Sequence, residues 1–455
     1  MNKRDDTAPA GAGARPRRAS APRGPAAAKP NPARSAAHAG DTRDKAVDPA
    51  RQGALRLLAA VREGATLSEA AGALDRLAPP DRARAQRLAA DTLRHRGRAD
   101  AVLAPLLTGR TRPGTLDLLR LSVTEMLALA EAPHGVVNAA VALARAGGPK
   151  SAAAAGMVNA VLRRAADARA AWDAAPPVRL PDWLRRPVAE RWGEAVAAAI
   201  EAAQERPAPL DLTPKGDTPG EALPTGSHRL PAGTQVSALP GYAAGAWWVQ
   251  DAAAALPARL LDPRPAEAIA DLCAAPGGKT MQLAAAGADV TAIDLSPARL
   301  DRVAENLART GLTARLVAAD ALDWRPGAPL DAVLLDAPCS ASGTIRRHPE
   351  LPLIRDGAMI PDLVALQARL IDSALSMLGP GGRLVYAVCS IHRAEGEAQL
   401  AAALARHPGL AVEPPTLPGL DPAWITPEGA IRTRPDHWAD RGGLDGFFMV
   451  RLRRA

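Results

Sequence analysis

Two cysteines stand where this chain could do covalent chemistry. Cys339 lies in DAPCSASG (336–343) and Cys389 in AVCS (387–390), each directly after an apolar run that reads as a β-strand. In a parallel sheet such runs end on one edge, which brings both thiols and Asp336 together. A lone cysteine is ordinarily an inert core residue, whereas two beside a carboxylate suit nucleophilic catalysis. Carbon 5 of cytosine poses the kind of problem they solve: it is a poor nucleophile that becomes enamine-like once a thiolate adds to carbon 6. After methyl transfer the proton on carbon 5 must leave so that the sulfur can be expelled, a step a second cysteine can assist. A carboxylate or ammonium near ring nitrogen 3 would stabilise charge developing on the ring, and Asp336 and Lys279 are the candidates. Cys273 has no such company and reads as structural.

A second constellation surrounds DLCAAPGGKT (271–280), in which a strand runs through two glycines into a helix. The glycines let a ligand approach the backbone closely. The loop is not a phosphate-binding P-loop, because Cys273 stands where its first glycine is required, and it lacks the GxGxxG of dinucleotide sites. Asp271, Asp294, Asp320 and Asp336 close four successive strand patterns. Carboxylates at strand ends accept hydrogen bonds from a ribose, so the set suits a ribose-bearing cofactor without pyrophosphate, such as S-adenosylmethionine. Asp294, just before SPARL, also reads as a helix cap.

The elements that must position these residues are legible as alternating patterns. AIADLCA, DVTAID, ARLVAAD, DAVLLDAP and GRLVYAVCS are strand-like and are separated by helical stretches, which predicts βαβ units and a parallel sheet. Leu363, Leu366, Leu370, Ile371, Leu375 and Leu378 repeat at helical spacing and read as core. From about 47 to 170 the pattern is helical throughout, and breaks near Pro79, Pro113 and Pro133 predict five or six helices. The chain is therefore expected to be multidomain: a basic, disordered tail (1–45), an all-α domain (46–170), a small α+β linker domain (171–248) and an α/β domain (249–455).

Composition bounds the rest. A chain of 455 residues exceeds what one hydrophobic core supports. Of its 56 Lys+Arg and 48 Asp+Glu, the first 45 residues carry 10 and 4, so the remainder is close to neutral and a nucleic-acid surface must be a local patch. Three cysteines make no disulfide framework, and neither they nor the scattered histidines show metal-ligand spacing. No segment has the apolar length of a membrane span or a signal peptide. These features lead us to expect a cytoplasmic protein with no metal and no membrane, acting as a monomer.

Two resemblances sharpen this reading. LRL (119–121), VNAAVALAR (137–145) and GMVNAVLRR (156–164) resemble the NusB-like RNA-binding domain. DLCAAPGGKT, DAPCSASGTIRRHPE, YAVCSIHRAEGEA and the terminal DGFFMVRLRR, with VQDAAAAL (249–256) ahead of them, resemble the Nol1/Nop2/Sun RNA cytosine-5 methyltransferases. That resemblance implies a Rossmann-like domain that uses S-adenosylmethionine, held by Cys273, Ala274, Ala275, Pro276, Gly277, Gly278, Lys279, Asp294, Asp320 and Asp336. It implies Cys389 as nucleophile and Cys339 as the group that promotes enzyme release, and Arg299 matches a family arginine. With the NusB-like domain in front, it implies small-subunit ribosomal RNA as substrate and partner. The chain departs from the family pattern at Val388, Gly396 and LDLTPK (210–215). Tyr386, Trp438 and Phe447 are candidates to stack on an extruded base, although Phe447 and Phe448 also read as a buried final strand. Arg346, Arg347 and His348 are candidates to meet the RNA backbone, or else form an exposed charged loop. The alternatives are a non-catalytic RNA-binding or assembly factor, and the same chemistry on transfer RNA.

Overall fold

In the computed structural model, which describes residues 47–455, proline sets where the first helices begin. Helices Pro49–Arg62, Pro79–Arg94, Pro113–Leu127 and Pro133–Ala146 each open on one. Its fixed φ suits the first turn, where the missing N–H would have no intrahelical partner anyway. Arg96–Leu103, Pro149–Ala152 and Ala155–Ala165 complete this part. The described residues up to 165 thus hold seven α-helices, more than the expected five or six. The extra ones arise because the chain restarts at His95 without glycine or proline, and makes a single turn after Gly147-Gly148. Their apolar faces close on Leu119, Val123, Val158 and Leu162, all essentially inaccessible. Arg163 and Arg164 point to solvent. The basic tail expected over 1–45 lies outside the described residues.

Three further helices, Arg169–Ala174, Asp182–Trp192 and Glu194–Gln204, lead into a small antiparallel sheet. Its strands β1 (Leu210–Pro214), β2 (Glu221–Ala222), β3 (His228–Leu230) and β4 (Trp247–Val249) lie in the order β2-β3-β1-β4. Directly opposed residues on β1 and β3 form a buried ion pair, with Arg229 donating twice to Asp211 at 2.7 Å.

The remaining strands build one large sheet: β5 (Ala268–Leu272), β6 (Asp289–Asp294), β7 (Arg315–Ala318), β8 (Leu330–Asp336), β9 (Leu378–Val388), β10 (Leu410–Glu413), β11 (Ile431–Arg432) and β12 (Phe448–Arg454). The order is β10-β12-β9-β8-β5-β6-β7, with β11 also on β12; β5 to β9 pair in parallel and β12 runs antiparallel to β9 and β10. Helices cover both faces, which is why residues 332–335 and 384–388 are unbroken buried runs rather than alternating ones. Helix Ile360–Met377 packs Leu370, Ile371 and Leu375 onto this core. From β5 the chain first steps to β6 and β7, then crosses back to β8 and β9. That reversal opens a crevice at the carboxyl ends of β5 and β8.

Candidate active site

The glycine loop leaves β5 through an unusual backbone. Cys273 has φ of 62°, the Ala275–Pro276 bond is cis, and Gly277 has φ of 96°. A Cβ at Gly277 would come within 2.9 Å of Val303 Cγ1, so both the backbone and the close packing require glycine there. Asp294, at the end of β6, accepts from the backbone N–H of Ala275 on one oxygen and of Ser296 on the other, each at 3.1 Å. Arg299 donates to the Ala275 carbonyl at 2.8 Å. The expected cofactor aspartate thus also fixes the loop, with lone pairs to spare because a carboxylate has about four acceptor sites. Helix Pro297–Thr310 is capped instead by Ser296.

The other three aspartates differ in environment. Asp320 lies two residues beyond β7, exposed, and accepts from the Leu322 N–H at 2.8 Å. Asp271 is fully buried one residue before the end of β5; Thr280 donates to its Oδ2 at 2.5 Å, while its Oδ1 has no partner. Burial pushes Asp271 up to about 7, against the pull of Thr280 and Lys279. The Cys273 thiol is pushed up to about 12 by burial and by Asp336, Asp294 and Asp271, and so stays neutral. Asp336 ends β8 and holds Lys279, whose Nζ stands 2.7 Å from Oδ2 and 5.6 Å from the centre of the Phe447 ring. Burial alone would lower the Lys279 ammonium, but Asp336, Asp271 and Cys389 hold it above its usual range.

Beyond the ends of β8 and β9, Cys339 Sγ and Cys389 Sγ lie 3.4 Å apart. The hydrogen bond to Cys389, together with burial, raises Cys339 well above an ordinary thiol. Cys339 therefore keeps its proton and can donate it toward the Cys389 sulfur. Glu395, wholly buried, ties the two loops together. It accepts from the Ser340 N–H at 2.8 Å and from the hydroxyls of Ser340 and Ser390 at 2.6 Å each, with Gln367 Nε2 at 3.1 Å. Gly343 donates to the Cys389 carbonyl at 3.0 Å and accepts from the Gly446 N–H at 2.8 Å, adding a backbone link between the same loops and the start of β12. In the sequence Glu395 is one residue of the YAVCSIHRAEGEA motif, next to the departing Gly396, and nothing local connects it to Ser340.

Several candidates lie elsewhere than expected. Tyr386 cannot stack on a base: it is fully buried within β9, and its hydroxyl donates to the Glu395 carbonyl at 2.6 Å. Phe447 is buried beneath Lys279 and Phe448 lies in β12. Trp438 is half-buried, 5.1 Å from Trp424. Arg346 meets no solvent, so it is neither an RNA contact nor part of an exposed loop. It is enclosed by Asp251, from the VQDAAAAL segment, and by Asp445, 2.9 Å from its Nε. Arg347 shares Asp445 at 2.8 Å but keeps 37% of its side chain accessible, and His348 keeps 41%. The sequence signal for Asp251 and Asp445 was their place inside matching motifs, which says nothing about their partner. Among the described residues no cluster of His, Cys, Asp or Glu could hold a metal ion, and no helix is long and apolar enough to cross a membrane.

Residues 258–453 match the family described as 16S rRNA methyltransferase RsmB/F, and residues 48–167 match the NusB family. A ribosomal RNA small subunit methyltransferase B of Xylella fastidiosa (strain 9a5c) is 38% identical over 435 residues, covering 88% of this chain and 99% of its own. Its namesake in Pseudomonas putida is 37% identical over 437 residues, covering 88% and 98%. The crystal structure of PH0851 shares the fold, with a TM-score of 0.65 at 24% identity over 89% of this chain and 99% of that one.

Proposed function

The chain belongs to the ribosomal RNA small subunit methyltransferase B family, as an S-adenosylmethionine-dependent RNA methyltransferase, and we propose that it methylates carbon 5 of a cytidine in 16S ribosomal RNA through a covalent Cys389 adduct. What carries this reading is the pair of thiols 3.4 Å apart beside the Lys279–Asp336 ion pair.

The crevice fits the cofactor. Lys279 is already occupied by Asp336, and Asp294 and Asp320 keep acceptor sites to spare, so the crevice presents carboxylate more than cation. That charge suits a sulfonium and ribose hydroxyls and disfavours a pyrophosphate. The backbone of Cys273 to Lys279, with Asp294, Asp320 and Asp336, would hold it, and it supplies the methyl group.

Each residue then has a task. The Cys389 thiol gives up its proton to solvent water, and the resulting thiolate, receiving a hydrogen bond from Cys339, forms a bond to carbon 6, so that the π pair of the 5,6 double bond becomes available at carbon 5. Lys279, kept protonated by Asp336, lies close enough to Cys389 to stabilise negative charge, first on the sulfur and then on the ring. Once carbon 5 is methylated, its proton passes to solvent water, the C–H pair restores the 5,6 double bond, and the sulfur–carbon 6 bond breaks with its pair leaving on the sulfur. Cys339 assists this release by returning its hydrogen bond to the departing Cys389 thiolate. Glu395 keeps the two sulfurs in register throughout.

A denaturing gel tests the assignment. Wild type, Cys339→Ala and Cys389→Ala are incubated with small-subunit ribosomal RNA and S-adenosylmethionine. Cys339→Ala is expected to accumulate a protein–RNA adduct that survives denaturation, and Cys389→Ala to give neither adduct nor methyl transfer. Normal turnover by Cys389→Ala would overturn the nucleophile assignment.

A further inference from the structure

Ala341, two residues after Cys339, has φ of 54°, a left-handed backbone that alanine adopts only against the clash of its own Cβ. Such a turn persists where its surroundings hold it. Glu395 holds one side by accepting from the Ser340 N–H at 2.8 Å. The carbonyl of Cys339 belongs to the same peptide unit, and Arg355 holds that. Its Nη1 donates to the Cys339 carbonyl at 3.4 Å and, more closely, to the carbonyl of Ser340. One side chain thus grips the N–H and another the C=O of the peptide that follows Cys339. The rotation of that plane is fixed between them, which limits how far the Cys339 Sγ can swing from its place 3.4 Å from Cys389 Sγ.

Arg355 differs from the arginines that precede it in the chain. Arg346 and Arg347 pair with carboxylates, whereas the Arg355 guanidinium donates only to those two carbonyls among the described residues. Neutralising a charge therefore does not account for its place; the loop it holds does. Its own main chain is mounted on the parts outside the large sheet. It follows the single turn Leu351–Ile354 in an extended conformation, with φ of −124° and ψ of 134°. Ile354 packs on the apolar cluster of the first helices, which contains Leu57 and Leu88, and on that of the linker helices, which contains Leu184 and Ile200. Trp183, in helix Asp182–Trp192, donates from Nε1 to the Arg355 carbonyl at 3.1 Å. Gly357, at φ of 89°, makes room for the same indole, since a Cβ there would lie 2.9 Å from Trp183 Cβ and Cγ.

We propose that Arg355 is a positioning residue for enzyme release: it keeps the Cys339 thiol within reach of the Cys389 sulfur, from a mount supplied by the helical and linker parts. The proposal rests on the covalent reading above. Arg355 exchanges no proton and forms no bond in the reaction; it acts through Cys339. Without it the peptide after Cys339 turns more freely, Ala341 relaxes toward negative φ, and the two sulfurs part. Attack by Cys389 continues, because that residue lies on the other loop, which Glu395 holds through the Ser390 hydroxyl at 2.6 Å. The departing thiolate, however, loses the hydrogen bond of Cys339.

The test follows labelled methyl transfer to small-subunit ribosomal RNA in the first turnover and at steady state, together with the adduct that survives denaturation. It compares wild type, Arg355→Met, Trp183→Phe, Cys339→Ala and the double variant Arg355→Met/Cys339→Ala. Arg355→Met is expected to methylate in the first turnover within about twofold of wild type, then to turn over at least about tenfold more slowly while the adduct persists, the size of one lost charge-assisted hydrogen bond. Trp183→Phe, which removes the Nε1 donor and keeps a ring against Gly357, should move the same quantities less, and it decides the matter if Arg355→Met does not fold. The double variant should match Cys339→Ala, because two changes that act through one group are not additive. A merely structural residue would instead lower first-turnover methylation and adduct together. That result would overturn the proposal alone, as would a double variant that releases more slowly than Cys339→Ala, or adduct in Cys339→Ala but in neither Arg355→Met nor Trp183→Phe. No adduct in Cys339→Ala would overturn the covalent reading, and this proposal with it.

Discussion

Asp271 shows how one carboxylate can stand at the root of a site without facing it. Its folded-state value near 7 exceeds the ordinary 3.8, so between those values the folded protein holds a proton that the unfolded chain has lost. Stability contributed by this group is therefore complete below about pH 4, falls as pH rises toward 7, and is constant above it. Measured against Asp271→Asn, wild type should lose ground in melting temperature from pH 4 to 7 and then run parallel. A difference that is flat across that window would contradict the raised value. The two thiols, the glycine loop and the Lys279–Asp336 candidates were readable from residue types and their places after strands. Tyr386 was misread because an aromatic near a nucleophile looks the same in sequence whether it faces the crevice or the core. Glu395 was missed because its partner, Ser340, lies 55 residues earlier.

At the scale of elements, the sheet was the most legible feature, since unbroken apolar runs bounded by aspartates leave few alternatives. Two things escaped. The helical break at His95 carries a weak signal, and the packing of two loops against the start of β12 carries none. Gly343 illustrates the second. A Cβ there would collide with the Gly446 carbonyl, backbone against backbone, so no rotamer change relieves it. Gly343→Ala should destabilise the protein by about 2 kcal/mol or more, within or beyond the usual range for overpacking. It should also reduce methyl transfer more steeply than stability alone explains, because Gly343 donates to the Cys389 carbonyl. Urea denaturation and single-turnover methylation measured on the same preparation check both halves; full activity with lowered stability would detach the packing from the chemistry.

The whole molecule is joined by a few buried polar contacts where the helical and catalytic parts meet. Arg94, buried in helix Pro79–Arg94, pairs with Asp91 at 2.5 Å and donates to the Arg346 carbonyl at 3.1 Å. Arg98 ties the helices to the linker part instead, gripping Glu205 at the end of helix Glu194–Gln204 through two bonds, at 2.6 and 2.9 Å. The Leu67 N–H donates to the buried Glu350 at 3.3 Å. Replacing Arg94 by Met strands Asp91 in the interior, and breaking a buried pair from one side costs about 3–5 kcal/mol. Arg94→Met should therefore lower the urea midpoint and speed amide exchange in the segment 345–353 while leaving the β8–β9 ladder protected. Unchanged exchange in that segment would mean the two parts are held together elsewhere.

Arg346 has its carbonyl in the grip of the helical domain and its guanidinium in the grip of Asp251 and Asp445, seven residues along the chain from Cys339. On the proposed function, with RNA held by the helices and its cytidine at the thiols, the two sites share a single covalent segment. If RNA on the helices steadies the Cys339 loop, then by thermodynamic reciprocity a cytidine seated at the thiols tightens the hold of the helices on RNA by the same factor.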